Sequence, residues 1–261
     1  MRIDAVERLI TPTTKAIITT AASNVCGTIQ PLARLKEIAK EHHLLLIIDA
    51  AQGLPYLDMK GLEADAIAFT GHKGLLGPQG VGGMILTPQL AHAIDPLVSG
   101  GTGSMSDSEQ ISPYLPDRLE AGTQNLPGIL ALGTALDYLA QHAEELKANE
   151  QARTQELLEG LKKIPQLAII GPKTMEERVP IISIDVPGKD NADIADLLAQ
   201  QGIETRVGLH CAPIAHKTLG TFPRGTIRFA PGPFTSKEDI ETTLQELKDI
   251  CKVSSQRKCL Q

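Results

Sequence analysis

Leu44-Leu45-Leu46-Ile47-Ile48-Asp49-Ala50-Ala51-Gln52 and, further on, Ala66-Ile67-Ala68-Phe69-Thr70-Gly71-His72-Lys73-Gly74-Leu75-Leu76-Gly77-Pro78-Gln79-Gly80 carry the reading of the fold. Residues 44–50 are dominated by a continuous aliphatic run, too short for most helices and of the kind that is buried on both faces of a parallel sheet. Residues 66–70 form another such run and residues 81–87 a third, while residues 15–22 are rich in β-formers. Between the first two, residues 31–43 have helical spacing with a proline in the first turn. Strands joined through helices predict an α/β domain around a mostly parallel sheet. Ligands bind at the carboxyl ends of such strands, where loops and helix N-termini offer free backbone N–H groups, and Asp49 and Lys73 both fall at such ends.

The second half changes character. Residues 125–163 read as one long helix, with Ile129, Leu130, Leu132, Ala135, Leu136 and Leu139 as its apolar stripe. Short strands follow at 167–170, 179–186 and 225–229, with an amphipathic helix at 192–201 and a last helix at 236–251. The expected organisation is a large domain over 1–124, a connecting helix over 125–164, a smaller α+β domain over 165–252, and a polar, frayed tail over 253–261.

A chain of 261 residues can bury a sizeable core. Its net charge of -6 and lack of a basic stripe argue against nucleic acid as a partner, and with no Trp and 3% aromatic residues there is little to stack on bases. No apolar run approaches bilayer length and the first residues carry acids, so the expectation is a cytoplasmic protein without a membrane partner. The four cysteines, Cys26, Cys211, Cys251 and Cys259, lack the short paired spacing of zinc sites or disulfide frameworks, which predicts reduced thiols and no metal.

An amine at one strand end with a carboxylate on the strand before it is the pairing that pyridoxal phosphate (PLP) requires. The aldehyde needs an amine to condense with, and the pyridine nitrogen needs an acid that keeps it protonated. Four blocks around that pair, Ala22-Ser23-Asn24-Val25-Cys26-Gly27-Thr28, Asp49-Ala50-Ala51-Gln52, Thr70-Gly71-His72-Lys73 and Gly100-Gly101-Thr102-Gly103-Ser104, together resemble the class V aminotransferase family, most closely its cysteine desulfurase branch. The resemblance implies the PLP-dependent transferase fold of type I. It implies that Lys73 condenses with the cofactor, Asp49 pairs with the ring nitrogen, Gln52 bonds the ring hydroxyl, Thr70 and His72 contact the phosphate, and Asn24 faces the ring or the substrate. Thr102 belongs to a segment that reaches the neighbouring subunit's phosphate in that family, which implies a homodimer.

Downstream, Arg206-Val207-Gly208-Leu209-His210-Cys211-Ala212-Pro213 is similar to the desulfurase loop that holds the catalytic cysteine, and Arg228 matches the arginine that clamps a substrate α-carboxylate. On that match Cys211 takes the sulfur of cysteine as a persulfide and leaves alanine, and a sulfur-acceptor protein is an implied partner. Arg206, His210 and His216 are the neighbours that favour a thiolate if they lie close. Glu120-Ala121-Gly122-Thr123-Gln124-Asn125 resembles a structural turn of the family. The family's first third, with its phosphate-cradling Gly-Thr turn and ring-stacking residue, has no counterpart in this sequence, so the chain reads as a fragment or a truncated form. Two other readings stand beside the desulfurase: another class V aminotransferase or PLP lyase in which Cys211 is incidental, and a non-catalytic dimerising fragment. Cys26 reads as a small filler, and Cys251 and Cys259 carry no chemistry in any of these readings.

Overall fold

The computed structural model describes residues 2–105 and 107–257, with residues 253–257 described as helix backbone. The chain forms two compact units, one of residues 1–21 and 31–140 and the other of residues 22–30 and 141–261. In the first unit a short 3-10 turn leads into α1 (Val6–Leu9), followed by β1 (Ala16–Thr20), α2 (Leu32–Glu41), β2 (Leu45–Asp49), β3 (Ala66–Thr70), β4 (Gly82–Leu86) and α3 (Pro88–Ala93). The sheet order is β1-β2-β3-β4, with β1, β2 and β3 parallel and β4 antiparallel.

Three sequence expectations need correcting here. Only the step from β1 to β2 runs through a helix; the link from β2 to β3 is a string of turns. The eleven-residue link over 71–81 is too short for a parallel crossover, so β4 returns antiparallel. Nor is β2 buried on both faces: Leu46 and Ile48 are 2% and 0% exposed, whereas Leu45 is 36% exposed. Leu32, Leu35 and Ala39 of α2 pack on the Leu46 and Ile48 face. Across the sheet, Ile18 of β1 and Met84 of β4 stand exposed, and pairing places them on the same face as Asp49.

The long helix expected near the middle is α4 (Leu126–Lys162). Asn125 stands just before it, and its side-chain Oδ1 accepts from the Gly128 N–H at 3.2 Å, capping the first turn.

The second unit then adds β5 (Ala168–Ile170), β6 (Ile182–Asp185), α5 (Asn191–Gln200), β7 (Arg206–Gly208), α6 (Pro213–Leu219), β8 (Thr226–Phe229) and α7 (Lys237–Arg257). Its sheet, β5-β6-β8-β7, is antiparallel throughout. Leu157, Leu158 and Leu161 of α4, Ile182 and Ile184 of β6, Ile194 and Leu198 of α5, and Ile227 of β8 form a core in which none of these is more than 1% exposed. The last helix runs to Arg257 rather than stopping near residue 251, and the remainder of the expected tail, with Cys259, lies outside the described residues.

Residues 22–30 join the second unit through specific bonds. The Ile29 N–H donates to Glu177 O at 3.0 Å, the Val179 N–H to Gly27 O at 3.0 Å, and the buried Ser183 hydroxyl to Val25 O. Gly27 has φ +75°, and a Cβ there would meet Ile181 O at 2.6 Å, so the close approach of the two strands requires glycine.

Candidate active site

The predicted functional residues divide between the two units. In the first, β2 and β3 end side by side, with Asp49 opposite Ala68 in the register. Asp49 is exposed, and its Oδ1 accepts from the Ala51 N–H at 2.9 Å, which fixes the carboxylate at the strand end. Thr70 closes β3, and its hydroxyl is 2.8 Å from His72 Nδ1. Lys73 follows, exposed, in a loop tied at its base by the Gly71 N–H to Val81 O bond of 2.8 Å and crossed by the Leu76 N–H to Lys73 O bond of 2.9 Å. Gly74 lies so close to the Leu54–Pro55 backbone that a Cβ would meet Pro55 Cδ at 2.6 Å. Backbone sterics therefore bring the lysine loop against the turn after Asp49 and Gln52, and Gln52 is half-buried there. Thr102 lies in a separate stretch of this unit, its hydroxyl 2.8 Å from Ser104 Oγ.

In the second unit Asn24, Cys211 and Arg228 come together although 187 residues separate the first from the second. Asn24 Nδ2 donates to His210 O at 2.7 Å, and Arg228 donates from its guanidinium to Asn24 O at 2.7 Å. Arg206 of β7 is the register partner of Arg228 on β8. Cys211 is exposed, whereas Cys26 and Cys251 are buried. His210 and Cys211 have φ of 48° and 59°, a pair of neighbouring non-glycine residues in left-handed backbone. The turn closes through the Ala212 N–H to Leu209 O bond of 2.8 Å, and α6 starts at Pro213.

Two buried imidazoles underlie that turn. His210 Nε2 is 2.9 Å from Thr226 Oγ1, His216 Nδ1 is 2.7 Å from Thr221 Oγ1, and the two rings are 5.5 Å apart. Burial first, then the Arg228 cation, His216 and Arg206, push the His210 pKa down to about 4. Burial also lowers that of His216, although the Leu209 carbonyl opposes it. Both rings are therefore neutral at pH 7. The expectation that these histidines help charge the site is corrected: the cations here are Arg206 and Arg228. Arg228 is itself held below the usual arginine value by burial and then by Arg206, with Cys211 opposing them.

Thr226 had no assigned role in the sequence reading. Its signal is present in the strand period, since Thr226 and Arg228 are two apart on β8 and share a face. Ser183, which helps lock residues 22–30 in place, left no comparable signal, because its partner is the Val25 backbone carbonyl, distant in sequence.

The family model described as "Aminotransferase class-V" matches residues 1–243. A probable cysteine desulfurase of Streptomyces coelicolor is 37% identical over 212 residues, 79% of this chain and 50% of that protein. Another from Pyrococcus abyssi is 30% identical over 244 residues, 91% of this chain and 60% of that protein. Among solved structures, the apo cysteine desulfurase of Thermococcus onnurineus superposes with a TM-score of 0.88 at 29% identity, covering 97% of this chain and 63% of that one. A cysteine desulfurase of Escherichia coli gives 0.85 at 29% identity, covering 96% and 62%. The chain thus spans between half and about three fifths of the length of these relatives. The fold is that of these PLP-dependent enzymes, an α/β domain with a mixed, mostly parallel sheet and an α+β unit.

Proposed function

Because the chain belongs to the class V aminotransferase family, we propose that the protein acts as a PLP-dependent cysteine desulfurase, converting cysteine to alanine with the sulfur carried as a persulfide on Cys211. The observation that carries this reading is the exposed Cys211 on a left-handed turn that Asn24 ties to Arg228, in a chain whose relatives are named cysteine desulfurases.

The donor set of the first unit fits PLP by its chemistry: Asp49 for the ring nitrogen, Gln52 for the ring hydroxyl, the Thr70 and His72 pair for the phosphate, and Lys73 for the aldehyde. Asp49 and Thr70 stand at the same end of one sheet, which is the placement such a ligand requires. When bound, PLP supplies an electron sink for carbanion chemistry at the amino acid. Lys73, exposed, serves as the base that removes and returns substrate protons. Arg228 offers its guanidinium to the substrate carboxylate, with one N–H already committed to Asn24 O. Cys211 forms an S–S bond to the substrate sulfur as the substrate C–S bond breaks. The electron pair of that bond stays on carbon, which takes a proton to become alanine.

Thr102 is assigned to a partner subunit's phosphate in a homodimer, and the persulfide passes to a sulfur-acceptor protein. A cytoplasmic setting is part of the same reading. Among the described residues no helix is long and apolar enough to cross a membrane.

The test is to supply PLP and cysteine and to follow sulfide and alanine together with PLP retention by dialysis. Sulfide release is expected in the native protein and lost in Cys211→Ser, which keeps PLP. Alanine formation indifferent to Cys211→Ser transfers the reading to an aminotransferase or lyase, and failure to retain PLP overturns the enzyme reading for this chain.

A further inference from the structure

Residues His210 and Cys211 occupy a backbone region that L-residues rarely adopt, so a turn built from both persists only where its surroundings over-determine it. Two side chains from outside the loop supply that determination, and both act on His210. Thr226, 0% exposed on β8, holds the ring through the 2.9 Å contact to Nε2. Asn24 holds the main chain through the 2.7 Å bond from its amide to the His210 carbonyl. His210 is itself buried, 8% exposed, and its ring lies 5.5 Å from that of His216.

We propose that His210 is a positioning residue for the reactive thiol: a buried strut, pinned by Thr226 at its ring and by Asn24 at its carbonyl, that keeps Cys211 in the left-handed turn beside Arg228. This deepens the desulfurase reading and rests on it for the meaning of Cys211. The strut is neutral, and its contribution is geometric. Loss of either pin lets His210 and Cys211 relax to ordinary backbone, and the sulfur leaves its place near Arg228. The assignment gives Asn24 a second partner besides cofactor or substrate. It also explains why Thr226, which touches the strut and not the thiol, has a hydroxyl at a position where an apolar side chain of the same shape would pack.

Alkylation of Cys211 by iodoacetamide, read at the Cys211 peptide by mass spectrometry, tests this without cofactor or turnover. Thr226→Val removes the ring pin and keeps the shape; Thr226→Ser keeps the hydroxyl. One ordinary hydrogen bond corresponds to roughly a fivefold change in the population of the held turn. The expected result is roughly a fivefold slower alkylation in Thr226→Val at pH 7, a rate near native in Thr226→Ser, and a similar loss in Asn24→Ala. Native rates in Thr226→Val, or equal slowing in Thr226→Ser and Thr226→Val, overturn the proposal. If Thr226→Val fails to fold, Asn24→Ala decides, and an unchanged rate there overturns it. Failure of the native protein to release sulfide would sink the desulfurase reading and leave this comparison intact, so the two failures are distinguishable.

Discussion

The two units hold their chemistry in opposite ways. In the first, Asp49, His72 and Lys73 are exposed and fixed by contacts only a few residues away: Asp49 to Ala51, Thr70 to His72, Lys73 to Leu76. In the second, the groups around Cys211 are joined by bonds from residues 24, 226 and 228, and much of the joining polar surface is buried. A strand-end site needs only its sheet to stay folded, whereas the cysteine turn needs a network assembled from distant parts of the chain. The first arrangement tolerates substitution of a functional side chain without loss of stability; the second couples function to folding.

Lys73→Ala gives the largest effect and the sharpest split. Borohydride-trapped PLP, quantified by mass, is expected to fall to background, while the urea midpoint moves by no more than about 0.5 kcal/mol because the side chain is exposed. A large stability loss would break the view that the strand-end site is independent of its support. Next in size are the cores. Ile184→Ala and Ile48→Ala each remove a fully buried side chain and are expected to cost about 2–5 kcal/mol in urea unfolding, whereas Ile18→Ala, at an exposed position on the first sheet, is expected to stay within about 0.5 kcal/mol.

A smaller, pH-dependent effect belongs to the second unit. The His210 pKa is depressed from 6.5 to about 4 in the folded chain, so between those values the unfolded state binds the extra proton and the folded state does not. Stability is therefore complete above about pH 6.5 and declines as pH falls toward about 4. Urea midpoints across that window should show the slope, and His210→Gln should reduce it. The smallest expected change is Arg34→Ala. Its pairs with Glu7 and Glu37 at 2.6 and 2.9 Å are surface contacts, and double-mutant cycles there should return little coupling, which fades with salt.

Much of this was legible in the residues. The aliphatic run before Asp49, the Thr70-Gly71-His72-Lys73 block and the long helix all announce themselves by pattern, because strand burial, turn sterics and helical period are local properties. The antiparallel return of β4 was less visible, since it depends on how far an eleven-residue link can reach rather than on any residue in the strand. The neutrality of His210 could not be read at all: an imidazole beside a cysteine looks like a source of charge until burial and two arginines are seen around it.

By itself, then, the sequence determined the elements and the chemical types available: an amine and a carboxylate at neighbouring strand ends, a thiol in a loop, an arginine on a late strand. Only the tertiary structure decided that Asn24 joins the second unit and spans the His210 carbonyl and Arg228, and that a threonine pins the His210 ring. Propensity and period act over a few residues, whereas hydrogen-bond satisfaction and desolvation are settled only when segments nearly two hundred residues apart share one interior.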